Sequence, residues 1–407
     1  MVRSSLILSV LLLLCASCEQ PLTAGSGLSA AGRSSMETTC NDWACNRAKM
    51  ISVGSASSCA VLASGAVLCW GDNQEGQLGN GRNVTSATPV FVSGLSNAAS
   101  VSVGDVHACA VTADGQVLCW GDNQFGQLGN GTTVDSNVPV AAVGLAAAKE
   151  VSCGGNHCCA LARDGSVSCW GQTDNIPLGR MGDTNVCPFP TDVSAALGAT
   201  VSAITVGSDR ACAILENGTA VCFGSNEYGK LGGGDNNAHA APVAVRGLVN
   251  ATKIVLGDDH ACALLANGTV SCWGWKGDHL LGNDQALGAN EVESSIPIPV
   301  IGLSGIVDLA AGDFHTCAIS ENGSISCWGC NGSGQLGDDM TTGSLPVTVS
   351  ATNALAVGAG ADSTCAILFS GAISCWGYGG YGQLGNGMSG DNVMSATPVG
   401  VRWPTAP

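Results

Sequence analysis

The chain has 407 residues and a formal net charge of −17, with 58 Gly and 22 Cys against only 11% charged and 4% aromatic residues. A 45% hydrophobic fraction at so low a charge density excludes disorder over most of the length. The acidic balance excludes a nucleic-acid binder, which needs clustered Lys and Arg to neutralise phosphates. So many cysteines point to an oxidising compartment, and an apolar content made mainly of Ala, Val, Leu and Cys points to short strands joined by tight turns.

In chain order, residues 1–18 read as an export signal. Arg3 supplies the positive start, and Leu6 to Leu14 form an apolar run interrupted only by Ser9, too short to span a bilayer. The Cys15-Ala16-Ser17-Cys18 segment resembles a bacterial lipobox with Cys15 in place of the usual Leu, which implies acylation at Cys18; the alternative is plain secretion with cleavage near Cys18 or Ala24. Residues 19–39, rich in Ser, Ala, Gly and Thr, are expected to be a flexible tether. The expected location is outside the cytoplasm: an outer-membrane or cell-surface lipoprotein, or a secreted protein. A lipid anchor would be the sole link to a membrane.

Residues 40–407 hold an internal repeat that overrides the length-based expectation of two or three domains. A Cys followed ten positions later by another Cys occurs seven times: Cys59/Cys69, Cys109/Cys119, Cys159/Cys169, Cys212/Cys222, Cys262/Cys272, Cys317/Cys327 and Cys365/Cys375. The units begin near 51, 101, 151, 204, 254, 309 and 357. In each, a short apolar run ends in Gly, as in Val101-Ser102-Val103-Gly104. Three residues later comes His107, His157, His260 or His315, replaced elsewhere by Ser57, Arg210 and Ser363. Two apolar runs then flank Asp-Gly or Asn-Gly, the strongest short-range signal for a hairpin. The second run closes on Cys-Trp-Gly; Gly-Gln-Leu-Gly follows at 76–79, 126–129, 334–337 and 382–385, and a Pro-Val pair opens a last extended segment. Four short strands per unit describe a propeller blade. Seven units closed into a ring leave no open sheet edge. The predicted fold is an all-β seven-bladed propeller over about residues 46–403.

This motif set resembles the regulator of chromosome condensation repeat family, which implies a seven-bladed propeller. In character the chain is similar to exported bacterial members of that family, which include a secreted β-lactamase inhibitor. The chain departs from the pattern at Ile176-Pro177-Leu178-Gly179 in the third unit, at Phe223 in place of Trp in the fourth, and at His279-Leu280-Leu281-Gly282 in the fifth. The resemblance also raises ring closure by a strand exchanged between termini, with Pro398-Val399 as the candidate segment.

The fourteen repeated cysteines fall opposite one another across their hairpins, a position suited to cross-strand disulfides worth roughly 2–3 kcal/mol each without simple additivity. Reduced, buried pairs are the alternative. Zinc ligation fits poorly at this spacing. Cys40, Cys45, Cys153, Cys158, Cys187 and Cys330 allow fifteen pairings among themselves. The repeated Trp70, Trp120, Trp170, Trp273, Trp328 and Trp376 suit packing between blades better than ligand binding. The Gly-Gln-Leu-Gly turns lack the pattern of a phosphate loop. The four His, with Asp105, Asp258 and Asp313 beside them, suggest hydrogen-bonding staples, with cation or anion binding as the weaker reading. No unit holds a Ser/His/Asp or paired-carboxylate cluster of its own, so neither an enzyme, a cofactor nor a metal is expected.

Specificity in a rigid ring is carried by loops that differ between blades. The longest run from Gln172 to Ala195 and from Trp275 to Glu293. Phe125, Phe189, Tyr228, Trp275, Tyr378 and Tyr381 stand outside the fixed Trp position and are the candidate partner contacts. The expected function is a non-catalytic protein-interaction scaffold that binds through one face, with the acidic balance favouring a basic protein partner. Carbohydrate or cell-wall binding is the second expectation. Guanine nucleotide exchange on a small GTPase, implied by the founding member of the family, is the third.

Overall fold

Asp-Gly and Asn-Gly tips fold as hairpins here because glycine takes the left-handed conformation such turns require: φ is +92° at Gly115 and +77° at Gly268. Around these tips the flanking runs pair antiparallel, with Cys109 opposite Cys119 and Cys262 opposite Cys272. The structure, a computed structural model, describes residues 47–173, 185–237, 239–283, 292–338, 345–351 and 353–404. The export segment, Cys18, the tether, Cys40, Cys45 and the variant turn at 176–179 lie outside these residues.

In the first blade the strands are Ala48–Val53, Ser57–Leu62, Val67–Gly71 and Ser86–Phe91, hydrogen-bonded in chain order. Seven such four-stranded antiparallel sheets follow one another, the last built from Ala354–Ala359, Ser363–Leu368, Ile373–Tyr378 and Met394–Gly400. The fourth strand of the sixth blade shrinks to Val347–Thr348. Helix is limited, among the described residues, to one turn at Ser194–Leu197 and two 3-10 turns at Glu227–Gly229 and Gly277–His279. None of these is long and apolar enough to cross a membrane.

The first strands neighbour one another around the ring and, from the seventh blade, return to the first. Apolar cores lie between blades rather than within them. In one, Cys59, Val61, Val67 and Leu78 of the first blade meet Val101, Val103, Ala110 and Trp120 of the second. Closure repeats the same arrangement, with Ile51, Val53 and Trp70 packed against Ile367, Ile373 and Leu384. The terminal strand Met394–Gly400 pairs with its own blade. The exchanged strand considered at Pro398-Val399 is thus not used, and closure rests on packing and hydrogen bonds between the first and seventh blades.

The seven repeated pairs are disulfides, one per blade, each between a second and a third strand. They are Cys59–Cys69, Cys109–Cys119, Cys159–Cys169, Cys212–Cys222, Cys262–Cys272, Cys317–Cys327 and Cys365–Cys375, with Cα atoms 4.0–4.1 Å apart. So short a separation belongs to non-hydrogen-bonded positions of an antiparallel pair. The reduced, buried pairs weighed as the alternative are not what the structure holds. An eighth bridge, Cys153–Cys158, spans the first hairpin of the third blade. The spacing left it as one of fifteen open pairings. Cys187 is buried in a fourth strand and Cys330 half-buried on a connector, both as free thiols.

Hairpin topology gives the ring two different faces. Connectors between first and second strands, and between third and fourth, emerge on one side, the connector face. Those between second and third strands, and between successive blades, emerge on the other, the turn face.

Candidate functional site

On the ring axis, at the connector face, the first strands end in Gly54, Gly104, Gly154, Gly207, Gly257, Gly312 and Gly360, which line a cavity of about 100 Å³. No side chain fits at most of these positions. A Cβ on Gly54 would run into the Gly104 carbonyl, and one on Gly360 into the Gly54 carbonyl. The close approach lets the next residue face the axis, and Asp105 and Asp313 line the same cavity. Ser55 Oγ donates to Asp105 at 2.6 Å, and Ser208 Oγ donates to Asp258. Burial, followed by the charges of Asp258, Asp105 and Asp362, pushes the Asp313 carboxyl up to about 8. Burial also raises Asp105. At neutral pH the Asp313 carboxyl is therefore protonated and can donate a hydrogen bond in the mouth.

The repeated cysteines stand away from this mouth. Their third-strand members, Cys69, Cys119, Cys169, Cys222, Cys272, Cys327 and Cys375, are fully buried. Each belongs to a core between blades, as Cys69 does beside Trp120 and Cys375 beside Trp70. Their role is structural, and the bridges leave them no thiolate to offer a metal.

The repeated histidines do not reach the mouth either. His107, His260 and His315 are fully buried and His157 nearly so, each at the start of a second strand. Three of them aim Nε2 at the following blade: His260 at Thr316 Oγ1 and His315 at Thr364 Oγ1, both at 2.8 Å, and His107 at the Cys158 sulfur at 3.0 Å. Thr364 already donates to the Gln335 carbonyl and Cys158 is disulfide-bonded, so in both cases the ring N–H is the donor. Burial holds these rings well below the usual range, at about 3 for His107, His260 and His315 and about 4 for His157. They are neutral groups packed between blades, and the cation- or anion-binding reading of the His ring fails on burial.

The tryptophans act in the same way. Six indole N–H groups donate to a backbone carbonyl in the preceding blade's connector at 2.8–3.1 Å, as from Trp120 to Gln77 and from Trp70 to Gln383 across the closure. In the fourth blade Phe223 takes the Trp position, and in the sequence the preceding unit lacks Gly-Gln-Leu-Gly. The Gln side chains tie each connector down: Gln77 to Asp72 at 2.9 Å, Gln127 to Asp122 at 2.7 Å. Where Cys330 takes the Asp position, Gln335 turns to Asp362 instead, at 3.0 Å. The fourth unit replaces both His and Gln by cations. Arg210 is fully buried and donates to the carbonyls of Gly257, Asp258 and His260. Lys230 pairs with Asp209 at 2.8 Å and Asp259 at 3.4 Å.

Charge is segregated between the faces. The described connectors of the connector face carry fifteen Asp and Glu against Arg82, Lys230 and Lys276. Those of the turn face carry Asp114, Asp164, Glu216 and Glu321 against Arg47, Arg163, Arg246 and Arg402. Glu75 of the first blade meets Asp122 and Asp135 of the second, with carboxylate oxygens within 4.8 Å of one another. Sequence reading missed this asymmetry, although the repeat already shows which connectors alternate between faces.

Five of the six candidate aromatics lie on that acidic face. Tyr228 and Trp275, 47 positions apart, bring their rings to 5.9 Å between adjacent blades. Tyr378 and Tyr381 meet edge-on at 6.1 Å in the seventh blade. Phe125 stands half-buried in the second blade's connector. Phe189 is the exception: it lies half-exposed on a fourth strand and covers Gly131 of the neighbouring blade.

Fold and site together define a disulfide-stapled repeat propeller with one acidic, aromatic face. The chain belongs to the RCC1-like domain family, whose family model matches residues 24–350. It is similar to the ultraviolet-B receptor UVR8 of Arabidopsis thaliana, 30% identical over 42% of this chain and 39% of the receptor. It is also similar to the human E3 ubiquitin-protein ligase HERC2, 32% identical over 40% of this chain and 3% of the ligase. The chain thus spans well under half the length of either relative. Among solved structures it is similar to Prp20p of Saccharomyces cerevisiae, with a TM-score of 0.72 and 19% identity over 87% of each chain. Human WBSCR16 has a TM-score of 0.68 and 23% identity over 79% of this chain and 87% of that one. At these identities the structural likeness speaks for the fold.

Proposed function

We propose that this protein is a non-catalytic interaction scaffold that binds a protein partner through the connector face. The observation that carries the reading is a coincidence on one face of a rigid ring. Five of the six candidate aromatics stand there, together with most of the surface carboxylates, whereas the exposed Phe91, Phe189 and Phe369 lie on fourth strands or on the turn face. Aromatic side chains set within a charged rim are the usual composition of a protein-binding hot spot. The opposite face offers short, charge-balanced turns and no aromatic pair among the described residues. Membership of a family of interaction propellers agrees with this reading.

The working location belongs to the same proposal: outside the reducing cytosol, with Cys18 as the lipidated N-terminus. Eight disulfides among the described residues support the compartment. Intact mass before and after reduction checks it. Two hydrogens missing per bridge and an acylated Cys18 agree, whereas free thiols on an unprocessed chain contradict it. Binding is checked by cross-linking the full chain in its native envelope or secretome and mapping the linked residues. A saturable protein partner linked to the connector face is expected. No saturable partner, or links confined to the turn face, contradicts the reading.

A further inference from the structure

Four observations converge on the corner between the fourth and fifth blades. The first is the ring pair itself: Tyr228 is 38% exposed and Trp275 half-buried, so packing does not consume both rings. The second is charge. Glu227, beside Tyr228, and Asp278, three residues beyond Trp275, are exposed, Asp235 stands in the same connector as Tyr228, and of the two lysines in these connectors Lys230 is buried against Asp209 and Asp259 while Lys276 is half-buried. The third is backbone strain. Tyr228, Asp278 and His279 have φ of +59°, +53° and +63°. The equivalent of His279 is glycine in the other described copies of the motif, Gly76, Gly126, Gly229, Gly334 and Gly382. A bulky residue in the left-handed region is strained, and such strain gathers at binding sites. The fourth is contrast: the Tyr378/Tyr381 pair sits on a connector whose left-handed positions are all glycine.

We propose that Tyr228 and Trp275, with Glu227 and Asp278, form the pocket that receives an arginine or lysine side chain from a basic segment of the partner protein. The inference rests on the scaffold reading and names the partner's chemistry. An indole face is the best of the aromatic surfaces for a cation, and neighbouring carboxylates complete a charge-assisted contact. Charge also rules on the other occupants. A second copy would oppose one acidic face to another, and nucleic acid or an anionic lipid surface would meet the same repulsion. A basic polypeptide is attracted to the whole face and anchored at this corner.

The test uses the full, oxidised chain and a fluorescein-labelled peptide of alternating Arg and Gly, read by anisotropy, with the citrulline counterpart as control. Saturable binding is expected, weakened by raising ionic strength from about 0.05 to about 0.3 M. The double variant Tyr228→Ala, Trp275→Ala is expected to lose about tenfold in affinity or more, and Glu227→Gln with Asp278→Asn a similar amount. Trp275→Phe should retain part of the binding. The control Phe369→Ala, an exposed residue on the turn face, should stay within about twofold of the parent. All variants are compared after their thermal transitions have been matched to the parent. Equal affinity of the first double variant, or equal binding of the citrulline peptide, overturns the proposal. If the Arg peptide fails to bind while a cross-linked protein partner still occupies the connector face, the basic chemistry is wrong and the scaffold reading survives. Failure of both removes both.

Discussion

At the scale of single residues, burial sets the titration behaviour. Asp313 has a folded pKa of about 8, above its unfolded value near 3.9, so between about pH 4 and 8 the folded state holds a proton that the unfolded state has lost. Its contribution to stability therefore declines as pH rises through that window. Asp313→Asn removes the decline: the variant should gain melting temperature over the parent, by more at pH 8 than at pH 5. The buried histidines act in the opposite sense. With folded values of about 3 to 4, they remain neutral where the unfolded chain takes up protons, so stability falls as pH drops below about 6.5. Thermal melts across about pH 4–9 should peak near neutrality. Lys230 is nearly buried against Asp209 and Asp259, and Lys230→Met should cost about 2–4 kcal/mol in denaturant melts by leaving Asp259 without this cation and Asp209 with Arg210 alone. The His and Trp positions were legible as structural from their fixed place in the repeat. The Arg210 and Lys230 replacements were visible as departures, but beyond Asp209 their partners Gly257, Asp258, Asp259 and His260 lie in the next unit, where only the fold brings them together.

At the scale of strands and connectors, the repeat is held by what each connector offers to the following blade. Gly79 has a φ of +65°, and a Cβ there would meet the Trp120 ring at 2.8 Å. Gly79→Ala should destabilise by about 2–4 kcal/mol through strain and overpacking together. Trp120→Phe keeps an aromatic ring but orphans the Gln77 carbonyl, for a loss of about 1–3 kcal/mol by the same measurement. Register was legible where the chain repeats: ten-residue Cys spacing around Asp-Gly or Asn-Gly fixes which residues stand opposite. Cys153–Cys158 escaped because it uses the shorter first hairpin, at positions that in the second blade are Val103 and Ala108. The same register predicts it once the hairpin is drawn. The one-turn helix at Ser194–Leu197 fills an enlarged connector that carries no helical periodicity long enough to read.

At the scale of the whole molecule, closure and redox state are linked, because the bridged cysteines sit inside the cores between blades. The native protein should resist thiol alkylation at these sites even with reductant present, and reduction in denaturant should lower the recovered melting temperature sharply, since each bridge contributes roughly 2–3 kcal/mol. The face proposed to bind was the least legible feature. Tyr228 and Trp275 belong to different units, and charge segregation emerges only after alternate connectors are assigned to opposite sides of a ring. The most direct measurement is hydrogen exchange of the full, oxidised chain with and without the Arg-containing peptide. Slowed exchange confined to the connectors around 225–237 and 275–283 is the predicted result. Protection on the turns at 163–166 or 321–324, or none on the connector face at saturating peptide, would contradict it.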